Sequence, residues 1–177
     1  LDTTKPILLK STVTPDLMHE YPDNVTYNPE FLRALHAKED FAKQPLFVLG
    51  GNDQEQLDFW EKLFSHLNTH VVQTNRTTAS MIKYTHNAWL ATKVAFFHEL
   101  FDNAPKDMNY SVLTAALAQI PSIGKTHMLA PNSKQTLGFD GHCFPKDTKA
   151  LTNYMDHSIL EQVITTNKRL NKRSVKV

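Results

Sequence analysis

One stretch, Gly138-Phe139-Asp140-Gly141-His142-Cys143-Phe144-Pro145-Lys146-Asp147, gathers residue types that could do chemistry. It holds the only cysteine in 177 residues. Gly138 and Gly141 let the backbone bend where a Cβ would clash. Pro145 has the fixed φ of a first helical turn, so Lys146 to Tyr154 is expected as a short helix. Cys143 then lies at or near a helix N-terminus, whose partial positive charge favours a thiolate. Lys146 adds a cation close by, and Asp147 sits one turn along on the same face. The competing account is an inert cysteine, buried as a small hydrophobe.

Lys83 and Asn87 form a second candidate pair. Their i, i+4 spacing projects both from one helix face toward one point. A buried lysine is costly unless paired or used. An ammonium and an amide donor could together stabilise an oxygen that becomes negative, as a thiol nucleophile requires of its neighbours. The alternative is that both point outward between buried faces. His86 and His98, on the same stretch, read as satisfied structural histidines. No metal-ligand spacing is visible, and although a Cys–His peptidase is conceivable from composition, no histidine is singled out as a base.

The elements that must carry these residues fall into two kinds. Pro6-Ile7-Leu8-Leu9 reads as a buried strand running into the polar Lys10-Ser11-Thr12, and Val25-Thr26-Tyr27 as a second strand. Asn28-Pro29-Glu30 supplies cap, first-turn proline and acid, which predicts a helix over Phe31 to Lys38. Leu46 to Gly51 is a third strand. Asp53 caps a helix with Leu57, Phe59, Trp60, Leu63, Phe64 and Leu67 on one stripe, and His70 to Gln73 is a fourth strand. This alternation argues for an α/β layer with mostly parallel strands.

From Thr78 to about Asn103 no glycine or proline intervenes, and apolar residues occur nearly all round. Such a helix is buried on every side, within the protein or against a partner. A helix opening at Asn109 or Ser111 runs through Gln119, Pro131 to Gly138 is loop, and His157 to about Arg173 is a last amphipathic helix. The chain therefore reads as α/β for about 75 residues and mainly helical for about 100, with domains at 1–75 and 76–177.

Composition is that of an ordinary globular chain, 41% hydrophobic and 21% charged. A net charge of +1 implies no nucleic-acid partner. The basic Lys168, Arg169, Lys172, Arg173 and Lys176 read as a solvated helix end. One cysteine excludes an internal disulfide framework and agrees with a reducing, cytoplasmic compartment. No apolar run approaches a membrane span, and no signal peptide is visible.

Four ordered blocks resemble the UDP-glucose/GDP-mannose dehydrogenase family. They are Lys10-Ser11-Thr12-Val13, Asn28-Pro29-Glu30-Phe31-Leu32, Lys83-Tyr84-x-x-Asn87 with the run to Glu99-Leu100, and Gly138 to Asp147. The resemblance implies the end of a Rossmann-like NAD domain followed by a central helical domain that dimerises through one long helix. A third, nucleotide-sugar domain would lie beyond Val177. No G-x-G-x-x-G can be drawn, so the isolated chain is expected to lack the dinucleotide cradle and not to reduce NAD by itself.

By the same resemblance, the activity is NAD-dependent oxidation of a nucleotide sugar at C6 to the uronate, with UDP-glucose expected. GDP-mannose or a UDP-N-acetylhexosamine is the alternative, and a non-catalytic dimerisation module is another. Cys143 would form the thiohemiacetal and thioester. Lys83 and Asn87 would stabilise the C6 oxygen, Asp147 and Glu30 would handle protons, and Thr12 would lie by the nicotinamide. Phe31, Leu32 and Gly141 would meet substrate, and Lys146 cofactor. Three positions depart from the family pattern. Ala34 stands in place of an acid and Ser122 in place of an arginine lent across the dimer. Asp140 replaces a turn glycine, a change it tolerates because Asp visits the left-handed region.

Overall fold

The computed structural model describes residues 4–33, 36–155 and 158–173. Its contacts divide the chain into two units, Leu1–Lys83 and Tyr84–Val177.

The first unit is built on four strands, β1 (Ile7–Leu9), β2 (Val25–Tyr27), β3 (Leu46–Gly50) and β4 (His70–Thr74), lying side by side in chain order. β1 with β2 and β3 with β4 are parallel. β2 and β3 meet antiparallel, through the single register pair Tyr27 and Gly50. The sheet is thus mixed at its centre, where the alternation of strands and helices alone reads as parallel. Strand periodicity sends Phe47 and Leu49 to one face and Val48 to the other, and both faces are covered. Phe47 and Leu49 pack with Leu57, Trp60 and Phe64. Val48 packs with Met18, Tyr27 and Ala79.

Connections follow local chemistry with one exception. Helix α2 (Gln54–Leu63) starts where the Asp53 carboxylate accepts the Glu55 and Gln56 N–H groups. The helix expected over Phe31 to Lys38 is absent from residues 31–33. Residues 28–33 have no regular structure, and α1 is the short Ala37–Ala42. Asn28 is not available as a cap, because its buried side-chain oxygen accepts from Lys10 while its amide donates to the Val48 carbonyl at 2.6 Å. Glu30 instead turns its carboxylate back to accept the Leu32 N–H at 2.7 Å. Ala34 lies outside the described residues.

Helix α3 spans Arg76–Asp102, opened by the Asn75 side chain, which accepts the Thr78 N–H at 2.8 Å. In the second unit it is joined by α4 (Tyr110–Leu117), α5 (Cys143–Thr152) and α6 (Ile159–Leu170). Ala91, Val94, Ala95, Phe139 and Val163 form one core there, with Phe144 against it. The Asn109 and Ser158 side chains cap α4 and α6. His157 and Lys176 lie outside the described residues.

α3 is not covered on every side within the chain, since Trp89 and Phe96 are each 60% exposed, which leaves cover by a partner as the other half of the expectation. Two expectations for this unit change. The C-terminal basic residues are not all solvated spectators: Arg169 pairs with Glu99 and, at 3.4 Å, with Asp102, and Arg173 pairs with Asp102 at 3.3 Å. α5 begins at Cys143, so Pro145 is its third residue rather than its first. A proline is tolerated there because first-turn N–H groups have no helical acceptor to lose.

Candidate active site

In the first unit, Lys83 is buried, which removes the reading that it points outward. Its ammonium donates to the Glu30 backbone carbonyl and pairs with the Glu30 carboxylate at 3.2 Å, with the Phe31 ring 5.6 Å from Nζ. Glu30 is therefore the counter-charge that makes burial of a lysine tolerable. The loop carrying Glu30 is itself fixed from below: Lys10 donates to the Asn28 side chain, which reaches Val48. Burial lowers the Lys10 ammonium from its ordinary value, and Glu30 pulls it back up. Phe31 packs on the core and Leu32 is half-buried, while Thr12 is exposed between β1 and the turn of 3-10 helix at Pro15–Glu20.

In the second unit, Asn87 is buried and donates to Asp147 at 2.6 Å. Asp147 is the most buried carboxylate described, and Lys146 pairs with its other oxygen from the surface side. The Lys146 ammonium also lies 5.9 Å from the Tyr84 ring centre. Cys143 is exposed at the first position of α5, so it is not an inert core thiol. The turn before it takes positive φ at Gly138 and Gly141, both +82°. At Gly138 a Cβ would run into the side-chain oxygens of Asn171 and Asn167; at Gly141 it would meet nothing within 4 Å. Asp140 is not in the left-handed region. It is exposed and pairs with Lys134 at 2.8 Å, so its substitution for glycine carries no backbone strain.

Sequence reasoning missed the groups that hold this turn. Gly138 N–H donates to His98 Nδ1 at 2.8 Å. Phe139 N–H donates to Asn167 Oδ1 at 2.6 Å, and Asn167 Nδ2 donates to the Phe139 carbonyl at 3.0 Å. His98 is structural, as read, yet its task is to hold the cysteine turn. A bare Nδ1 requires a neutral ring, and burial keeps the imidazole below its ordinary value against a Leu129 backbone hydrogen bond that raises it. The distances in sequence, about 30 to 40 residues, carry no local pattern by which these partners could be found.

The central domain of the UDP-glucose/GDP-mannose dehydrogenase family matches residues 77–173. The chain belongs to that family. UDP-glucose 6-dehydrogenase of Rickettsia bellii is 36% identical over 180 residues, covering 92% of this chain and 40% of the relative. GDP-mannose 6-dehydrogenase of Pseudomonas putida is 32% identical over 131 residues, covering 72% of this chain and 29% of the relative. A UDP-glucose dehydrogenase structure from Pyrobaculum islandicum superposes with a TM-score of 0.77 at 28% identity, over 93% of this chain and 40% of that one. The chain thus spans about two fifths of the length of the Rickettsia bellii relative. The Rossmann-like end and the helical part agree with those neighbours.

NAD is the cofactor that the family resemblance implies. The described residues do not fit its pyrophosphate. Gly50 packs on α3, where a Cβ would meet Ala79, and the α2 N-terminus is closed by the Asp53 carboxylate, which repels a phosphate. Among the described residues, no group of three metal-ligating side chains comes together and no helix is long and apolar enough to cross a membrane.

Proposed function

We propose that this chain is the catalytic core of a nucleotide-sugar 6-dehydrogenase that oxidises UDP-glucose to UDP-glucuronate. The observation that carries the reading is an exposed thiol opening α5, on a helix whose Asp147 is buried and held by Asn87. The Cys143 thiolate adds to the C6 aldehyde: a C–S bond forms, the carbonyl electrons move to oxygen, and a proton completes the thiohemiacetal. That adduct has the carbon–hydrogen bond from which a second hydride can leave, giving a thioester. Water then adds, the C–S bond breaks, and the thiolate and carboxylate are released. NAD would be the hydride acceptor, with its pyrophosphate held by groups other than the described residues.

Lys83 and Asn87 act as donors to the C6 oxygen. An ammonium has three N–H donors, of which Glu30 takes two, and the Asn87 amide has two, of which Asp147 takes one. Each therefore keeps a donor for substrate. Glu30 and Asp147 remain the proposed proton-handling groups. Thr12, Phe31, Leu32 and Gly141 remain the proposed contacts to substrate and nicotinamide, and Lys146 the proposed contact to cofactor. The Pseudomonas putida relative supports GDP-mannose as the second substrate reading.

A dimer through α3 is part of the proposal. The exposed Trp89 and Phe96 are two turns apart and flank a groove of about 270 Å³ that also contains Ser122. Trp89→Glu is expected to give a monomer by light scattering where the parent sequence gives a dimer; equal masses would remove this part.

Kinetics test the chemistry. In the full-length enzyme, Cys143→Ala is expected to stop at the aldehyde level, read as NADH formed per sugar with a carbonyl reagent present. Cys143→Ser is expected to accumulate an ester that water cleaves slowly. Uronate made by Cys143→Ala at the parent rate would show the thiol to be structural.

A further inference from the structure

Resting on the reading of Cys143 as nucleophile, we propose that Asn167 is its positioning residue, acting through the backbone of Phe139. Residues 138–142 belong to no helix or strand, so their buried polar groups need partners from elsewhere. Asn167, itself buried, faces Phe139 with one acceptor and one donor and takes both of its backbone groups, at 2.6 Å and 3.0 Å. This is the pairing that a neighbouring strand would offer, supplied by one side chain. Asn171, one turn later on α6, adds a longer bond of 3.4 Å to the same carbonyl.

The other side of Phe139 is fixed as well. Its ring lies in the core with Ala91, Val94, Ala95 and Val163, and the Phe144 ring meets it edge-on at 6.2 Å between centroids. Phe144 directly follows Cys143. The thiol is thus bracketed by a clamped residue and by a neighbour that rests on that residue. Gly141, open on all sides, lies between them. A fully satisfied buried amide selects one conformation of such a turn, and without Asn167 the Phe139 N–H would be orphaned and its carbonyl left with only the long Asn171 bond, which drives the turn to open.

Because Cys143 is the only cysteine, a nitroxide label attached to the 177-residue chain reports on this position alone. Asn167→Ala is expected to lose the slow-motion component of the spectrum while circular dichroism stays helical. Val163→Ala, which loosens the same core without touching the amide, is expected to lower the melting temperature and keep the slow component. Equal spectra for Asn167→Ala and the parent, or the same loss in both variants, would overturn the proposal. Should Asn167→Ala fail to fold, hydrogen exchange in the unsubstituted chain decides. The Phe139 N–H is expected to exchange as slowly as the interior amides of α6, and exchange at the rate of an open loop would overturn the clamp. These readouts do not depend on catalysis. Active Cys143→Ala enzyme would remove the nucleophile reading and leave the clamp standing, whereas an unclamped Phe139 would remove the clamp whatever the thiol does.

Discussion

The loop at residues 28–33 and the turn at residues 138–142 both lack regular structure, and both carry proposed site residues, yet they are anchored in opposite ways. The first is held mainly by its own side chains, with two of its backbone groups, the Asn28 N–H and the Glu30 carbonyl, bonded as well. Asn28 reaches down to Val48 and Lys10, and Glu30 reaches across to Lys83 and back to Leu32. The second is held by its backbone, which is gripped by His98, Asn167 and Asn171, none of them in the turn. A loop anchored through a charge pair keeps its chemical groups half-buried and engaged. A turn anchored through its backbone does not need to bury the residue that follows it, and Cys143 is exposed, as the proposed nucleophile has to be. The difference teaches that a thiol can be placed firmly without being buried.

The largest test breaks the backbone grip. Gly138→Ala forces a Cβ into the two asparagine oxygens at a positive φ. It should cost about 3 kcal/mol or more, from left-handed strain plus lost buried hydrogen bonds. Gly141→Ala, with the same φ and open space, should cost only about 1–2 kcal/mol. Chemical denaturation of both variants checks the order, and equal losses would mean that strain alone, not the clamp, matters at Gly138.

Next in size is the charge-held loop. Glu30→Ala leaves the buried Lys83 without its counter-charge. About 2–3 kcal/mol is expected, below the range for a fully buried pair because Glu30 is partly exposed. Lys83→Met removes the charge that needs compensation and should come within about 1 kcal/mol of the parent. Finding Lys83→Met the more damaging would reverse the account of what that pair does for stability.

A smaller effect is spread over pH and belongs to the second unit. His98 is depressed by burial, and His127 by burial, Lys93 and His86. Their folded values lie below the ordinary 6.5, so the unfolded chain takes up protons first as the solution is acidified. Their stabilising contribution is complete above about pH 6.5 and is lost as pH falls through the window below it. Melting temperatures between pH 7.5 and 5 should fall, and His98→Asn should flatten part of that slope. The smallest effect is expected at Lys134→Ala. It removes only the exposed partner of Asp140 and should change stability by no more than about 0.5 kcal/mol.

How legible each region was follows from how it is anchored. Lys10, Asn28, Glu30, Lys83 and Asn87 are polar residues at conspicuous places, and sequence reasoning singled out each segment, though it mistook Asn28 for a helix cap. A cap and a buried hydrogen-bonding asparagine use the same side-chain oxygen, and only the tertiary positions of Lys10 and Val48 decide between them. The four strands, α2 with its Asp53 cap and the long α3 were written in local periodicity, because burial on one or both faces fixes where apolar residues fall. The thiol, its glycines and the presence of a helix after them were likewise readable, since φ above zero and a first turn have their own residue preferences, though the helix's start at Cys143 was not.

Three-dimensional packing alone decided the rest. That β2 meets β3 antiparallel depends on which edges come together, not on either strand's residues. That Asp147 is buried on Asn87, and that Asn167 and His98 hold the cysteine turn, depends on helices far apart in sequence lying side by side in the second unit. An asparagine on an amphipathic helix looks the same whether it faces water or a backbone, because its type fixes what it can bond and only the fold fixes what it meets.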